Sequence, residues 1–498
     1  MKTELAAAFE DVLASDPERR ALLFEGRWHD WRWMRATADS VDAAIARAGL
    51  SPEAPVGFIA NNRPVDSAAL LAVLRSGRSI VMIYPIQSSE GIAGDVAALR
   101  LEAVIADEAV WTAEVREAAR ATGTAAIMLS ESEAGGASLA AEADRVGPGP
   151  HRGPLEKPGI EMLTSGTTGK PKRHALDYAV IYRSMIKETI TRGDADFPAE
   201  DEMPAFLAYP YGNISGLYTF LPAAAARRPV MLLRKFDIDA WIDLVRTYRP
   251  TDISLPPAGV KMVLERNPPP EDLSSLKAII SGTAHIDEKL HREFEERYGC
   301  YIVPGFGATE FGGPVANMTP ALRDEFGDSK IGSVGRAWAG AQLRIVDPDT
   351  GEVLPVGKEG LLEVIAPRIG PDWIRTTDLA MLDSDGFLWH KGRADGAISR
   401  GGFKILPDTV VEGLLKHPSV GEAAVVGVPD EKLGQVPVAA VELLSDKPPA
   451  TVEELEEHAR RVLFKTHIPV RILIVDQLPR TPSLKVSLPQ VKALFSAG

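Results

Sequence analysis

Two periods of hydrophobic and polar positions alternate along the first 150 residues. Apolar residues recur with helical spacing over 31–50, which predicts an amphipathic helix ending at Gly49, and over 64–77, which predicts a second helix. Short apolar runs at 55–60 and 79–85 predict buried strands. Because strands and helices follow one another in turn, this part of the chain predicts a parallel α/β architecture.

The same alternation resumes after residue 200 and then gives way to another pattern. Apolar runs at 205–210 and 276–282 predict strands, and the amphipathic stretch 236–250 between them predicts a helix. Between 331 and 391 the chain reads as short strands broken by glycine and proline. That pattern predicts a small antiparallel or barrel-like unit.

Segment 392–405 carries four glycines in fourteen residues, which is typical of a hinge or domain boundary. About a hundred residues follow it, an ordinary size for one domain. We expect an N-terminal domain over 1–393 and a mobile C-terminal domain over 396–498, with the hinge at 394–396. The expected fold class is α/β. Doubly wound α/β subdomains and a small β-barrel-like unit form the large domain, which is hinged to a small α+β C-terminal domain.

Charge and cysteine content exclude several classes of function. The chain has 498 residues and a formal net charge of −14, so it lacks the basic footprint of a nucleic-acid-binding protein. Its single cysteine, Cys300, excludes an intramolecular disulfide and a zinc site of paired cysteines, and it favours a cytoplasmic setting. The most apolar stretch, 214–226, is too short for a membrane span. We therefore expect no membrane span and no nucleic-acid partner.

The segment "LTSGTTGKPKR" at 163–173 is rich in groups that bind phosphate. Six of its first seven residues are Thr, Ser or Gly, so several N–H groups and hydroxyls can point at phosphate oxygens, and Lys170 and Lys172 add positive charge. It is not a Walker A loop, because Thr164 and Pro171 stand where that motif needs Gly and Ser or Thr. A flexible polar loop is the alternative interpretation.

Two further loops offer groups suited to a nucleotide and a metal. In "GFGATEFGG", Phe306 can stack on a purine, Thr309 can hold a phosphate and Glu310 can bind Mg²⁺ through oxygen. The segment "WIRTTDL" offers Asp378 as an acceptor for two ribose hydroxyls. Each pattern taken alone is also typical of an ordinary turn or N-cap.

In this order and spacing, the motifs resemble those of the adenylate-forming superfamily, which includes acyl-CoA synthetases, peptide-synthetase adenylation domains and beetle luciferases. The resemblance covers the whole chain. "TSGTTGKPK" is similar to the family's phosphate loop without change, "GFGATE" resembles its Y-G-x-T-E motif, and "RTTD" resembles its T-G-D motif. "GRADGAI" resembles the G-R-x-D-D-x-I hinge, and "RTPSLK" resembles the R-T-x-S-G-K loop.

The resemblance implies a role for each of these loops. The catalytic residues that it implies are Lys485, Thr309 and Glu310, of which Glu310 is also the metal ligand. The nucleotide-binding residues are Thr164, Ser165, Gly166, Thr167, Thr168, Gly169 and Lys172 at the phosphates, Ser281, Gly282, Thr283 and Phe306 around the adenine with Gly307 and Ala308 in the same motif, and Asp378 and Arg393 at the ribose. The resemblance also implies an acyl pocket at Tyr211, Gly212 and Asn213, a coenzyme A tunnel at Gly401, Gly402 and Lys404, and a hinge at Asp395.

The reaction that the resemblance implies has two halves in one pocket. A carboxylate attacks the α-phosphorus of ATP and gives acyl-AMP and pyrophosphate. The small domain then rotates, and a thiol attacks the acyl carbon and releases AMP. The implied ligands are ATP or acyl-AMP, Mg²⁺, coenzyme A and a small carboxylic acid or its adenylate. Lys485 is expected to enter the pocket for the first half and to leave it for the second.

Several motifs depart from the family pattern. Leu484 replaces the glycine before the lysine, Thr377 replaces the glycine of T-G-D, and Gly396 replaces the second hinge aspartate. In the segment "PYGNISG", Gly212 and Asn213 replace an aromatic residue and a histidine. The departures leave most of the nucleotide-holding groups in place and fall most heavily on the loop that serves adenylation.

Leu484 carries an expectation about the balance of the two half-reactions. A residue other than glycine reaches positive φ at a cost of about 1–2 kcal/mol. If the loop requires that conformation, we expect Leu484 to displace Lys485 and adenylation to be weakened or lost, so that thioesterification of acyl-AMP dominates.

The acid is expected to be bulky and largely apolar. Gly212 removes an aromatic ring from the expected acyl pocket, and Gly282, Gly312 and Gly313 add little volume nearby. Glycines also let the backbone close in, which is the opposite effect.

Three alternatives stay open. The protein is a stand-alone adenylation enzyme that loads a carrier-protein thiol, or it receives its adenylate from a partner adenylating enzyme, or it is a non-catalytic adenylate-binding protein. The identity of the acid and the oligomeric state also stay open, a homodimer being one option.

Overall fold

In the part of the chain that a computed structural model describes, the strands form five sheets. Four of them are built from residues up to Arg393, and the fifth is built from Ile398 onwards. The described residues are 3–85, 87–130, 136–164, 172–187, 203–282, 284, 286–394, 396–400, 403–430, 433–445, 447–481 and 484–495.

The largest sheet has seven strands. Five neighbouring strands run parallel, and the strand at each edge runs antiparallel to its neighbour. Phe58 packs into a buried cluster on one face and Ile59 into a buried cluster on the other, so helices cover both faces, as expected for a doubly wound sheet. From edge to edge the strands are Ala137–Leu139, Ala125–Leu129, Ala103–Asp107, Val56–Ile59, Ile80–Met82, Gly159–Thr164 and Lys172–Asp177. The helices are Trp31–Ala48 and Pro64–Ser76 on one face, and Ser89–Leu99 and Ala113–Thr122 on the other. Two short 3₁₀ turns cover Glu108–Val110 and Ala141–Ala143.

A four-stranded sheet shares a core with the largest sheet. Leu22, Leu207 and Val230 belong to the same buried cluster as Phe58. Three strands run parallel and the fourth returns as a hairpin. The strands are Ala205–Leu207, Val230–Leu232, Arg20–Phe24 and Arg27–Asp30, and the helices beside them are Glu4–Ala14, Tyr178–Ile181 with the π-helical turn Tyr182–Ile186, and Ile214–Ala225.

A five-stranded sheet brings the ends of two parallel strands together. Ser281, at the end of one strand, lies opposite Pro304 in the next. After Ala308 the chain reverses through the 3₁₀ turn Thr309–Phe311 into an antiparallel strand. The strands are Asp252–Ser254, Ala278–Ser281, Tyr301–Ala308, Gly313–Asn317 and Arg336–Ala337, and the helices are Ile238–Tyr248, Pro257–Arg266, Pro270–Leu273, Glu288–Tyr298 and Pro320–Phe326, followed by the 3₁₀ turn Gly327–Lys330.

A four-stranded antiparallel sheet accounts for most of the stretch 331–391. The sequence prediction of short antiparallel strands there is confirmed. Its last two strands place Asp378 opposite Arg393. The strands are Gln342–Val346, Gly360–Ile365, Ile374–Leu382 and Leu388–Arg393.

The C-terminal sheet has a buried core of its own, which includes Ile405, Val425, Val441 and Leu455. Two long antiparallel strands form its centre, and a short parallel strand pairs with one of them. The strands are Phe403–Ile405, Ile398–Arg400, Gly434–Leu443, Val420–Asp430 and Ile472–Val475, and the helices are Pro407–Leu415, Val452–Val462 and Leu488–Leu494.

The helix predicted over 31–50 is observed as Trp31–Ala48. It ends at Gly49, whose φ of 78° lies in the left-handed region that favours glycine at a helix C-terminus. The strand predicted over 79–85 is shorter and covers Ile80–Met82. The period of the hydrophobic pattern therefore identified the elements correctly, and the error is confined to an element boundary.

Two further observations bear on the exclusions made from sequence. No helix in the described ranges has both the length and the apolar character that a bilayer crossing requires. Cys300 is a free, buried thiol, and burial, reinforced by the nearby Glu295 carboxylate, raises its pKa to about 12. The thiol is therefore protonated at neutral pH and unsuited to nucleophilic chemistry.

Asn62 joins the two sheets that share a core. Its buried side-chain amide donates to the carbonyl oxygens of Tyr209 at 3.0 Å and Leu233 at 3.2 Å, and its oxygen accepts from the Tyr211 N–H at 3.4 Å. Its φ of 53° is left-handed, a conformation that asparagine tolerates better than most residues. These bonds fix the start of the loop in which the acyl pocket is expected.

Asn62→Ala is expected to lower the free energy of unfolding by about 2–3 kcal/mol, since buried backbone groups lose their partners and the left-handed backbone loses a suitable residue. Asn267→Ala is the matched control. Asn267 has a φ of 52° but is exposed, so its loss should be about 1 kcal/mol. Urea unfolding of the three proteins measures both. Equal losses at the two positions would contradict the role given to the Asn62 hydrogen bonds.

Candidate active site

The strands Ala278–Ser281 and Tyr301–Ala308 are parallel neighbours, so their carboxyl ends point the same way in the five-stranded sheet. Ser281 is buried there, and its hydroxyl has no hydrogen-bond partner among the described residues. A methyl group added to Gly282 would meet only the Gly305 carbonyl oxygen, at 3.8 Å, so the edge has free space. A buried hydroxyl without a partner beside free space fits a polar, planar ligand such as a nucleobase.

Asp378 and Arg393, which the sequence analysis assigned to the ribose, lie opposite each other on neighbouring strands. A guanidinium nitrogen of Arg393 is 3.9 Å from the Asp378 carboxylate. The Asp378 backbone N–H donates to the Thr376 hydroxyl at 2.9 Å, which fixes the backbone at this point. The Asp378 side chain is 14% exposed, so its carboxylate is largely shielded from solvent and held by its neighbours.

His390 belongs to the same group of side chains, and the sequence analysis did not identify it. Its Nε2 is 3.1 Å from an Asp378 carboxylate oxygen, and its ring centroid is 5.7 Å from that of Phe306. The imidazole therefore orients the carboxylate and borders the ring expected to stack on a purine. A single histidine in a short strand carries no motif, so the sequence offered no specific signal for it.

Hydrogen bonds from Tyr218 and Arg368 hold the turn that carries Thr309 in place. The Tyr218 hydroxyl donates to the Gly312 carbonyl oxygen at 2.6 Å, and Arg368 donates to the Tyr218 hydroxyl at 2.9 Å. A methyl group on Gly313, whose φ is 127°, would lie 2.3 Å from the Tyr218 hydroxyl. These contacts hold the turn in one conformation, and the sequence analysis identified neither clamping residue.

The same packing corrects one sequence expectation. Gly312 and Gly313 were expected to leave volume near the acyl group. Beside Gly312 a methyl group would meet Ile369 and Val180 at 3.2 Å, and beside Gly313 it would meet Tyr218. Both glycines therefore let the backbone close in and do not open a pocket.

The three residues expected at the acyl pocket differ in their surroundings. Tyr211 is fully buried, and its hydroxyl is 2.6 Å from the Ser67 hydroxyl. The Tyr211 ring packs edge-on against Phe220. Burial raises the pKa of the Tyr211 hydroxyl. Gly212 has no atom within 4 Å of where a Cβ would lie. Asn213 is the N-cap of the next helix but makes no side-chain cap hydrogen bond. Free space in this loop is therefore found at Gly212.

The loop before Lys485 has the backbone conformation of a glycine loop although it carries a leucine. The φ of Leu484 is 62°. The Leu484 N–H donates to the Thr481 carbonyl oxygen at 2.9 Å, and the Thr481 N–H donates to the Lys485 carbonyl oxygen at 2.7 Å. Arg480 donates to the Leu484 carbonyl oxygen at 2.9 Å. These bonds offset the strain of the left-handed residue, which is about 1–2 kcal/mol.

Lys485 is electrostatically coupled to Arg393. Nearby protein atoms lower the pKa of its ammonium group by desolvation, and the charge of the Arg393 guanidinium lowers that pKa further, while the Lys485 residue as a whole is exposed to solvent. Leu484 adopts the left-handed conformation that a glycine would favour at this position, and the expected displacement of Lys485 stays a prediction. An additional anion between the two cations would relieve their repulsion.

The two strands that flank the expected phosphate loop form an antiparallel pair in the seven-stranded sheet. Thr164 and Lys172 are paired across a hairpin, and the second strand contacts the turn that begins at Thr309. Lys404 lies in a strand opposite Ser399, and a methyl group on Gly307 would meet the Gly313 carbonyl oxygen at 2.6 Å. Ser165, Gly166, Thr167, Thr168, Gly169, Thr283, Asp395, Gly401 and Gly402 lie outside the described residues.

The acidic residues at the site fit a metal ion that binds together with the substrate phosphates. Among the described residues, no three side chains of the types His, Cys, Asp and Glu come together as a cage. Glu310 is a single carboxylate in the turn after Ala308. Mg²⁺ commonly binds one or two protein carboxylates together with substrate phosphates, which matches a single acidic residue at a phosphate site.

The chain belongs to the AMP-binding enzyme family. Residues 9–370 match the sequence model of the AMP-binding enzyme family, and residues 412–485 match the model of the AMP-binding enzyme C-terminal domain. The resemblance to the adenylate-forming superfamily, in its acyl-CoA synthetase branch, is confirmed.

Curated relatives and solved structures agree with this assignment. The chain is 29% identical to indoleacetate–CoA ligase of Aromatoleum aromaticum over 99% of this chain and 98% of that protein. It is 30% identical to 4-coumarate–CoA ligase 2 of Nicotiana tabacum over 67% of this chain and 65% of that protein.

Its fold is similar to those of ATP-bound MatB from Rhodopseudomonas palustris and of o-succinylbenzoate CoA synthetase from Bacillus subtilis in complex with its acyl-adenylate. The TM-scores are 0.78 and 0.72, the sequence identities are 22% and 23%, and the coverage is 98% and 97% of this chain and 99% and 97% of the two structures.

Asp378→Ala is expected to weaken binding of a non-hydrolysable acyl-adenylate mimic about 10- to 100-fold, because ribose hydroxyls lose a charged acceptor. Calorimetry measures the dissociation constant. Asp243→Ala is the control, since Asp243 lies on an exposed helix face and pairs only one turn away with Arg246. An unchanged dissociation constant in Asp378→Ala would remove this residue from the nucleotide site.

Proposed function

We propose that the protein is an acyl-CoA ligase that joins a bulky, largely apolar carboxylic acid to coenzyme A through an acyl-adenylate. The observation that carries the proposal is the Asp378–Arg393 pair, 3.9 Å apart on neighbouring strands, together with the electrostatic effect of Arg393 on the pKa of Lys485. Asp378 and Arg393 come from two strands, and Lys485 comes from a loop near the C-terminus. A nucleotide would engage all three, with its ribose at Asp378 and Arg393 and its α-phosphate at Lys485.

In the first half-reaction, an oxygen of the substrate carboxylate attacks the α-phosphorus of ATP. The new O–P bond forms as the bond from that phosphorus to the bridging oxygen breaks, and pyrophosphate leaves. Lys485 stabilises the negative charge that builds on the α-phosphate and the incoming carboxylate. Thr309 and residues 164–172 hold the phosphates. Glu310 would hold Mg²⁺, which would supply positive charge at the phosphates.

In the second half-reaction, the thiol of coenzyme A attacks the acyl carbon. The C–S bond forms, the bond from the acyl carbon to the AMP oxygen breaks, and the thiol proton is released. We propose that the domain of residues 396–498 rotates about a hinge at 394–396, which includes Asp395, and withdraws Lys485. Gly401, Gly402 and Lys404 then line the path of coenzyme A.

The acid is proposed to carry an aromatic ring. Gly212 supports this, because the loop has free space where a side chain would otherwise stand. The relatives named for indoleacetate and 4-coumarate act on ring-bearing acids of this kind. Tyr211 supports the loop from inside the core, and Asn213 is the polar group nearest in sequence to the free space.

Adenylation is proposed to be the slower half-reaction. Leu484 has a left-handed φ of 62° in the loop that carries Lys485, and we infer that this strain opposes the placement of Lys485 that adenylation requires. The strain of about 1–2 kcal/mol is modest, so adenylation is weakened and not lost. A partner enzyme that supplies adenylate is then unnecessary. The cytoplasmic setting stays a prediction from the single free cysteine.

Leu484→Gly is expected to raise the rate of acid-dependent pyrophosphate release by up to about tenfold, because glycine removes the left-handed strain. Conversion of synthetic acyl-adenylate and coenzyme A to thioester should be nearly unchanged. Separate assays of the two half-reactions measure both rates. Leu494→Gly, at an exposed leucine near the C-terminus, is the control and should alter neither. A similar change in both half-reactions would contradict the proposal for Leu484.

Gly212→Phe is expected to lower kcat/KM for ring-bearing acids about tenfold or more while leaving acetate little affected, since a phenyl ring fills space that the larger acids need. Gly153→Phe is the control, because Gly153 is also in a loop with no atom within 4 Å of its Cβ position. Thioester formation with a panel of acids measures the effect. Comparable turnover of acetate and ring-bearing acids by the unmodified protein would contradict the proposed substrate class.

A further inference from the structure

A group of charged side chains joins the two parts of the chain outside the nucleotide cleft. Lys261, on the helix Pro257–Arg266, contacts a carboxylate oxygen of Glu442 and lies 3.6 Å from a carboxylate oxygen of Glu422. Both glutamates are on the long strands of the C-terminal sheet. The Lys261 side chain is 11% exposed and that of Glu442 12%, so the contact is largely shielded from solvent.

The same two glutamates hold the base of the Lys485 loop. The second carboxylate oxygen of Glu442 accepts from the Leu478 N–H at 3.1 Å. Glu422 accepts from Arg480, whose other guanidinium nitrogen donates to the Leu484 carbonyl oxygen at 2.9 Å. A continuous path of polar contacts therefore runs from Lys261 through Glu422 to the residue that precedes Lys485.

We call Lys261, Glu265, Glu422, Glu442 and Arg480 the interdomain charge cluster. It holds three carboxylates and two cations, and Lys261 lies within 4 Å of all three acids. Desolvation raises the pKa of Glu265, and the other two glutamates raise it further while Lys261 lowers it. Without Lys261, the half-exposed Glu265 and the two more shielded glutamates face one cation, and repulsion between Glu265 and the C-terminal strands favours separation of the two surfaces.

Arg266 offers a comparison on the same helix. It pairs with Asp239 at 2.6 Å, but both side chains are 59% exposed and both belong to the N-terminal part of the chain. Such a pair contributes little to stability and nothing to the contact between the two parts. Lys261 and Arg266 therefore lie on the same helix, but only Lys261 of the two contacts the C-terminal strands in the described residues.

We propose that Lys261 is a positioning residue for adenylation: through Glu422, Glu442 and Arg480 it holds the C-terminal domain in the orientation that places Lys485 beside Arg393. Lys261 touches neither nucleotide nor acid. The inference rests on the proposed function, in which this orientation serves the first half-reaction alone. When the small domain rotates, both glutamates leave with it and Lys261 stays behind.

Lys261→Met keeps an unbranched side chain of nearly the same length and removes its charge. We expect it to lower kcat for acid-dependent pyrophosphate release about 10- to 100-fold, because a displacement of about 1 Å at Lys485 is sufficient for such a loss. The KM for ATP should change far less, and thioester formation from synthetic acyl-adenylate should be unchanged or faster. Lys261→Arg should restore most of the pyrophosphate release.

Two further variants separate positioning from general stability. Glu442→Gln keeps an acceptor for the Leu478 N–H while removing the charge, so it should reproduce the selective loss. Arg266→Met should leave both half-reactions unchanged. An equal loss in both half-reactions of Lys261→Met, or no loss in either, would overturn the proposal, as would an equal effect of Arg266→Met.

Amide hydrogen exchange provides a readout that does not depend on activity. In Lys261→Met, exchange in the segment 472–481, which contains the bonded amides of Leu478 and Thr481, should be faster than in the unmodified protein and in Arg266→Met. If the unmodified protein releases no pyrophosphate with any acid, the proposed adenylation fails. The exchange result then decides on Lys261 by itself, and unchanged exchange overturns its role.

Discussion

The pairing of Asp378 with Arg393 across two antiparallel strands is the interaction on which the rest of the site depends. It fixes a carboxylate and a guanidinium side by side at the cleft, immediately before the chain enters the small domain. His390 orients the carboxylate from the same strand as Arg393. Arg393 also lowers the pKa of Lys485 by charge repulsion, so one short stretch of sheet connects the proposed ribose site, the expected hinge and the proposed catalytic lysine.

A left-handed residue next to Lys485, the proposed catalytic lysine, is the second constraint. Leu484 satisfies it with a φ of 62°, at a cost that glycine would not incur. The surrounding bonds explain how the strain persists: Arg480 holds the Leu484 carbonyl oxygen, and Glu422 holds Arg480. Strained residues of this kind survive where neighbouring contacts over-determine the backbone, and here those contacts reach across to the large domain through Lys261.

The sequence identified Asp378 and Arg393, which the structure brings together, but not the packing around the site. Asp378 and Arg393 were found because their motifs combine residue type with spacing, and the hydrophobic period identified the strands that carry them. His390 was missed because its role depends on strand register, which no local pattern specifies. Gly313 was misinterpreted as open volume, since the sequence could not reveal that Tyr218, from a distant helix, occupies the space beside it. Long-range packing, not local propensity, decided both cases.

The central claim is that one cleft activates an acid with ATP and passes it to coenzyme A. Product analysis by mass spectrometry tests it most directly, with ATP, Mg²⁺, coenzyme A and a ring-bearing acid supplied together. The account predicts AMP and acyl-CoA in equal amounts, both dependent on the acid. Formation of ADP in place of AMP, or AMP without any thioester across a broad panel of acids, would contradict it.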